Sequence, residues 1–231
     1  MAVPDFPVRE SLKLITPVGV VSAEWLIPEN PLAVLVFAHG AGAGYQHENM
    51  ESIASHCAGI GLAVLRFNFP YMEAGKRRVD RQEISVATIV AAAKLASAKG
   101  LPLFLGGHSY GGRMSSHAAL EKDLPEIVGL VFCSFPLHQP KKPSLSRAEH
   151  MDKINAPMVF VSGSRDDMAE PELMKGLVCR LNVEAQVCWL QTANHGYRVL
   201  KRTRTLESDV FTELAGYVDN FVRRCLADNV T

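Results

Sequence analysis

The chain has 231 residues, with 24 basic and 24 acidic side chains and a formal net charge of zero when histidine is neutral. This balance gives no electrostatic reason to expect a nucleic acid or an anionic membrane as a partner. No apolar run approaches the roughly 18 residues of a transmembrane helix, and the length predicts one domain, residues 1–231, with a substantial core.

The first predicted element is a strand with one polar face. In VVSAEWLI, residues 20–27, Val21, Ala23, Trp25 and Ile27 lie on one side of the strand. Such alternation is typical of an antiparallel strand with one solvent-exposed face, and we expect it at the edge of a sheet.

Six further segments have the length of strands but no polar face. They are LAVLVFA (32–38), LAVLRFNF (62–69), LPLFLGG (101–107), IVGLVFCS (127–134), PMVFVSG (157–163) and QVCWLQ (186–191). Runs that are apolar on both faces are typical of parallel strands covered by helices on both sides.

Helical patterns lie between and after these strands. Residues 80–100 place Asp80 and Glu83 at the spacing of a capping box and end at Gly100. Near the end of the chain, apolar residues recur at three-to-four spacing, which predicts an amphipathic helix that docks on the sheet. They are Phe211, Leu214, Val218, Phe221, Val222 and Cys225. The alternation of strand and helix predicts an α/β fold with a mostly parallel sheet, helices on both faces and an antiparallel edge strand.

One short motif stands where ligands bind in such a sheet, beyond the carboxyl ends of the strands. GHSYG, residues 107–111, fits G-x-S-x-G between the strand LPLFL and the helical pattern RMSSHAALE. A nucleophilic serine lifted on a sharp strand-to-helix turn leaves no room for neighbouring side chains, which explains glycine at 107 and 111. Ser109 is the candidate nucleophile, and an ordinary glycine-rich turn is the simpler alternative.

A serine hydroxyl needs a base, and in this architecture the acid and then the histidine follow later in the chain. SRDDM places Asp166 and Asp167 after the strand PMVFVSG, and TANHGY places His195 after QVCWLQ. We prefer Asp166, three residues after Gly163, as the triad acid. Asp167 stays open as the alternative, and otherwise it is a solvated carboxylate or a cap for a helix beginning near Pro171.

The glycine-rich loop AHGAGAG, after the strand LAVLVFA, suits an oxyanion hole. Acyl transfer builds negative charge on a carbonyl oxygen, which two fixed backbone N–H groups can bind. We assign these groups to Ala41 and Tyr110. A phosphate-binding loop is the alternative, but the segment lacks the Lys-Ser/Thr of a P-loop and has no dinucleotide fingerprint.

Only residues 134–156 separate two of the predicted strands, which is too short for a lid domain and predicts an open crevice. Such a crevice disfavours long lipid chains and favours small or polar substrates. Arg113 either holds a carboxylate of the substrate or pairs with an acidic neighbour. The residues expected to contact the substrate are His39, Gly42, Arg113, Pro136 and His138. No histidine has metal-binding spacing, so we expect no metal and no cofactor.

The stretches FAHGAGAG, LRFNFPY, LGGHSYGGR, PLHQPKKP, FVSGSRDDM and TANHGY resemble α/β-hydrolases of the dienelactone-hydrolase-like group. More narrowly, they resemble the small predicted hydrolases that include the testis-expressed and KANL-type proteins. The resemblance extends from Pro31 to Tyr197 and implies an α/β-hydrolase fold with Ser109, Asp166 and His195 as its triad. Dienelactone hydrolases have cysteine where this chain has Ser109, so the lactone substrate does not carry over.

These observations lead to one main hypothesis and one rival. The main hypothesis is a cofactor-free serine hydrolase that cleaves a small or polar carboxylic ester or thioester through an acyl-enzyme. The rival is a non-catalytic interaction protein built on a hydrolase fold. A small-molecule ester or thioester is the expected partner, and the sequence does not predict an oligomeric state.

The cysteines indicate the compartment. There are five of them, none in a CxxC pair, which predicts free thiols in a reducing environment. The opening segment MAVPDFPVRESLKL is too polar and proline-rich for a signal peptide. We therefore expect a cytoplasmic protein.

Overall fold

The computed structural model describes residues 7–228. Its strands are β1 (Val8–Thr16), β2 (Gly19–Ile27), β3 (Ala33–Ala38), β4 (Leu62–Phe67), β5 (Leu103–His108), β6 (Gly129–Cys133), β7 (Met158–Gly163) and β8 (Ala185–Leu190). Its helices are α1 (Glu48–Gly59), α2 (Pro70–Glu73), α3 (Gln82–Ser97), α4 (Tyr110–Ala118), α5 (Pro171–Arg180) and α6 (Val210–Asp228). None of these helices has the length and apolar character needed to cross a bilayer.

All of these strands join one sheet in the order β1-β2-β4-β3-β5-β6-β7-β8. β2 runs antiparallel to both of its neighbours, and every other pair is parallel. The predicted α/β fold with a mostly parallel sheet is confirmed. Residues 1–6 and 229–231 lie outside the described residues, and they include the start of the opening segment MAVPDFPVRESLKL. The single domain over 1–231 therefore stays a prediction.

The predicted antiparallel edge strand is present, but its assignment to VVSAEWLI is wrong. VVSAEWLI forms β2, but β2 lies inside the sheet because β1 pairs with it along its whole length, from Val8 opposite Ile27 to Thr16 opposite Gly19. β1 is therefore the edge strand. Most of its residues are exposed, and this polar outer surface hides the strand in the sequence.

Helices cover both faces of the sheet, as the two-sided apolar strands predict. In β3, Val34 and Val36 pack on one side, in a core shared with α3, α4 and α5. Leu35 and Phe37 pack on the other side, in a core shared with α1 and α6. Because β3 and β5 to β7 are parallel neighbours, their carboxyl ends meet at one edge of the sheet.

The predicted capping box on α3 is wrong. The helix begins at Gln82 after Arg81, and no side chain caps its first turn. Asp80 instead accepts a hydrogen bond of 2.8 Å from the backbone N–H of Tyr71. The carboxylate therefore binds the first turn of α2 rather than the first turn of α3.

A buried arginine ties the sheet to the glycine-rich loop after β3. Arg66 is fully buried on β4 and pairs with Glu24 and with Glu51, the latter at 2.8 Å. Its Nη1 donates to the carbonyl of Tyr45 at 3.1 Å, at the end of that loop. A buried cation is stable only when it is paired and hydrogen-bonded, so this network holds the loop in one place.

This network predicts how stability depends on pH. The hydrogen bond from Arg9, with Arg66 adding to it, lowers the pKa of Glu51 from 4.5 to about 2 against the opposing effect of burial. A carboxyl with a lowered folded-state pKa contributes stability above its unfolded pKa and loses it as the pH falls toward 2. Glu51→Gln should therefore reduce stability at neutral pH and flatten the decline between about pH 4.5 and 2, measured as urea midpoints. Glu149→Gln, at an exposed position, is the control. An unchanged decline in Glu51→Gln would contradict this assignment.

Candidate active site

Ser109 lies on a sharp turn between β5 and α4. Its backbone has φ 52° and ψ −114°, a left-handed conformation that is strained for serine. A Cβ at Gly107 would lie 2.6 Å from the carbonyl oxygen of Ala38, and one at Gly111 would lie 2.1 Å from the same oxygen. The strand and helix approach so closely that only glycine fits at both positions, and the serine is raised at the edge of the sheet.

The Ser109 hydroxyl faces an imidazole that is held by a carboxylate. The Nε2 atom of His195 lies 2.8 Å from the Ser109 Oγ. The Nδ1 atom of His195 lies 2.8 Å from Oδ2 and 3.0 Å from Oδ1 of Asp166, whose side chain is fully buried. With its Nδ1 proton donated to this carboxylate, the ring presents the Nε2 lone pair to the hydroxyl. This arrangement can remove the serine proton.

The loops that carry the acid and the histidine are packed back to back. A Cβ at Gly163 would lie 2.3 Å from the carbonyl oxygen of Ala193, and the N–H of Arg165 donates to that same oxygen at 2.9 Å. Asp166 also accepts a hydrogen bond of 2.9 Å from the N–H of Met168. The glycine thus allows the close approach that brings the carboxylate to His195, while the neighbouring Asp167 is exposed.

Residues 31–223 match a family model described as an alpha/beta hydrolase domain. The chain belongs to this alpha/beta hydrolase family. Within it, the narrower resemblance to the testis-expressed and KANL-type proteins stays a prediction.

Solved structures with the same fold include a dienelactone hydrolase. That protein, from Anabaena variabilis, has a TM-score of 0.73 and 15% identity over 94% of this chain and 98% of its own. A serine hydrolase without a lid from Xanthomonas campestris has a TM-score of 0.70 and 21% identity over 96% and 97%. Est1E from Butyrivibrio proteoclasticus, solved with ferulic acid, has a TM-score of 0.73 and 15% identity over 94% and 99%. The predicted α/β-hydrolase fold is confirmed.

Two other histidines lie near the serine of this hydrolase, but neither is placed to act as a base. Burial lowers the pKa of His39 and of His108 to about 4. The Nε2 of His108 lies 3.2 Å from the carbonyl oxygen of His195, so His108 supports the loop that carries His195.

The prediction that His39 contacts the substrate is wrong. The ring is fully buried, its Nδ1 donates to the carbonyl of Gly40 at 2.7 Å, and its Nε2 accepts from the N–H of Phe69 at 3.0 Å. Both nitrogens are used by the backbone. His39 therefore shapes the glycine-rich loop from below and does not face the crevice.

The loop after β3 passes directly beside the serine. A Cβ at Gly40 would lie 3.7 Å from the Cβ of Ser109. The Tyr71 hydroxyl donates to the carbonyl of Ala41 at 3.1 Å and fixes the next peptide. Within residues 7–228, the N–H groups of Ala41 and Tyr110 have no hydrogen-bond acceptor. The two groups are therefore available to a ligand beside Ser109.

The remaining predicted substrate contacts divide into two groups. Gly42 is exposed on the rim, with no atom within 4 Å of a Cβ placed there, and Arg113 is half-buried. Pro136 is buried, so it offers a substrate little surface. The prediction for His138 is wrong, because its ring is buried against the carbonyl of Gln139 at 2.8 Å and the N–H of Glu170 at 3.4 Å.

Proposed function

We propose that this protein is a serine hydrolase that cleaves small or polar carboxylic esters or thioesters through an acyl-enzyme. The observation that carries the proposal is the continuous hydrogen-bonded series from the Ser109 Oγ through His195 to the buried carboxylate of Asp166. A serine hydroxyl becomes nucleophilic when such a base takes its proton.

The reaction proceeds in two half-reactions. The Ser109 Oγ attacks the substrate carbonyl while its proton moves to the Nε2 of His195, and the N–H groups of Ala41 and Tyr110 stabilise the oxyanion. The bond to the leaving group then breaks, and His195 gives its proton to the departing oxygen or sulfur. In the second half-reaction, His195 takes a proton from water, the hydroxide attacks the acyl-enzyme, and the released proton returns to Ser109. Asp166 stabilises the charged imidazole throughout.

The connection between β6 and β7 supports small or polar substrates. It contains two short 3-10 turns, Ser146–Ala148 and Met151–Lys153, and no inserted domain. A long acyl chain needs apolar cover to bind, and an open crevice supplies little of it. The neighbours support this choice, because one is a serine hydrolase without a lid and another was solved with ferulic acid.

A fluorophosphonate probe tests the proposal directly. Its phosphorus is attacked by an activated serine oxygen with loss of fluoride, so labelling reports the nucleophile without knowledge of the natural substrate. Wild-type protein should be labelled, and Ser109→Ala should lose all labelling, both read by intact-mass spectrometry. Ser97→Ala, at an exposed serine on α3, is the matched control and should label like wild type.

Absence of labelling in folded wild-type protein would overturn the proposal and favour the non-catalytic interaction protein. Once labelling is established, p-nitrophenyl esters and acyl-CoAs of graded chain length separate ester from thioester substrates. Small or polar acyl groups should give the highest kcat/KM.

A further inference from the structure

One side of α4 carries basic side chains at one-turn intervals from the serine. Arg113 and His117 follow Ser109 at spacings of four residues, and the N–H of Arg113 donates to the carbonyl of Ser109 at 3.1 Å. Residues four apart on a helix lie on one face, about 5–6 Å from each other. Arg113 and His117 are both half-buried, about one and two helical turns after Ser109.

A second pair of basic groups reaches the same place from the segment that follows β6. The ring of His150 stacks on that of His117 at 3.7 Å, and its Nε2 lies 2.8 Å from the Ser116 hydroxyl. Arg147 donates to the carbonyl of His138 at 3.0 Å. We call Arg113, His117, Arg147 and His150 the basic cluster.

The charges of these groups influence one another. Burial is the largest cause that lowers the pKa of Arg113, and the positive charge of Arg147 is the second. Burial and then the charge of Arg113 lower the pKa of His117. Burial, His117 and Arg113, in that order, lower the pKa of His150 to about 4. Asp152 opposes and Lys153 adds to the shift at His150. At neutral pH the positive charge of the basic cluster therefore comes from its two arginines, because the lowered pKa values leave His117 and His150 uncharged.

Among residues 7–228, neither arginine of the basic cluster forms an ion pair with a carboxylate. Two arginines whose side chains are buried do have such pairs, since Arg66 pairs with two glutamates and Arg204 with Glu213. The Nε of Arg113 and the Nε2 of His117 are also buried without a hydrogen-bond partner in the described chain. Unpaired buried donors are costly, so each calls for a partner such as an ordered water or a bound ion.

We propose that the basic cluster is an anion-binding subsite for the substrate of this hydrolase. The substrate then carries a carboxylate or a phosphate about one helical turn from its reacting carbonyl. This inference rests on the proposed function. The planar guanidinium groups of Arg113 and Arg147 suit bidentate binding of either anion, and an ammonium group does not reproduce that geometry. Of the two readings of Arg113, the structure favours a bound anion over an acidic neighbour.

Paired esters test whether the anion contributes to turnover. Mono-4-nitrophenyl adipate carries a carboxylate on the acyl side, and its methyl ester is the neutral match. In 4-(butanoyloxy)benzoate the carboxylate lies on the leaving-group side instead, and its methyl ester is again the neutral match. In at least one pair, wild-type kcat/KM should favour the anion, and Arg113→Met should reduce that preference about 10- to 100-fold. The ratio of the two esters cancels any general loss of activity.

Three further variants separate binding from damage to the fold. Arg113→Lys keeps the charge but not the planar fork, so it should restore the preference only in part. Arg147→Met should reduce the preference without changing residues on α4. Arg223→Met makes the same charge change on the exposed surface of α6 and should leave the preference unchanged. The proposal is overturned if the preference for the anionic ester over its neutral match is the same in wild type and in every variant, for both pairs of esters.

Direct binding distinguishes failure of this inference from failure of the proposed function. Ser109→Ala protein is titrated by calorimetry with monomethyl adipate and with inorganic phosphate. The titration is repeated with the double variant that also carries Arg113→Met. Binding that depends on Arg113 supports the subsite even if no ester is hydrolysed. Ester hydrolysis with no Arg113-dependent binding of either anion overturns the subsite and leaves the hydrolase function standing.

Discussion

His195→Ala should lower kcat by about a million-fold for any ester that the wild-type protein hydrolyses. The Nε2 atom of His195 is 2.8 Å from the Ser109 hydroxyl and is the base in the proposed mechanism. Without this imidazole the serine keeps its proton, and the leaving group has no acid to protonate it. Single-turnover and steady-state rates with a p-nitrophenyl ester measure the loss.

The control for this loss is His56→Gln, which changes a histidine on α1 that is paired with Asp209 at 3.6 Å and takes no part in the site. It should retain wild-type kcat. The thermal midpoints of both variants should be compared with wild type by circular dichroism, so that unfolding is not taken for loss of catalysis. A folded His195→Ala protein with a kcat within tenfold of wild type would remove His195 from the mechanism.

The fold was predictable because most strands of the sheet are apolar on both faces. Residues such as Val34 and Leu35 point to opposite faces, yet both are fully buried. A sequence that is apolar at successive strand positions therefore indicates cover on both sides. β1 was missed for the opposite reason, since Arg9, Glu10 and Lys13 place charge on an edge strand where water, not the core, surrounds them.

The convergence of Ser109, Asp166 and His195 was predictable because parallel strands end at one edge, so that residues following β5, β7 and β8 meet there. The roles of the other histidines were not, because a sequence does not reveal which way a ring turns at a strand end. His39 and His138 turn toward backbone groups, and each uses both ring nitrogens there. The basic cluster was also hidden, because His150 contacts α4 from a segment that is distant in the sequence.

The sequence favoured Asp166 over Asp167 but left both open, and in the structure Asp166 is the one that contacts His195. Asp166→Asn should lower kcat by about ten-thousand-fold, whereas Asp167→Asn should leave it near the wild-type value. The side chain of Asp166 is fully buried against the Nδ1 of His195 at 2.8 Å, while Asp167 is exposed. An amide in place of the Asp166 carboxylate presents an N–H to the ring, which favours the tautomer with its proton on Nε2. That tautomer cannot accept the proton of Ser109.

The pair is a close comparison because both variants replace the same side chain, remove the same charge and lie in the same turn. Asp166→Asn should still bind the fluorophosphonate probe, but at a greatly reduced rate, since the serine and its glycine-rich surroundings are unchanged. A large loss in Asp167→Asn together with normal turnover in Asp166→Asn would exchange their roles. Equal and small effects in both would mean that His195 needs no carboxylate, which is incompatible with the proposed mechanism.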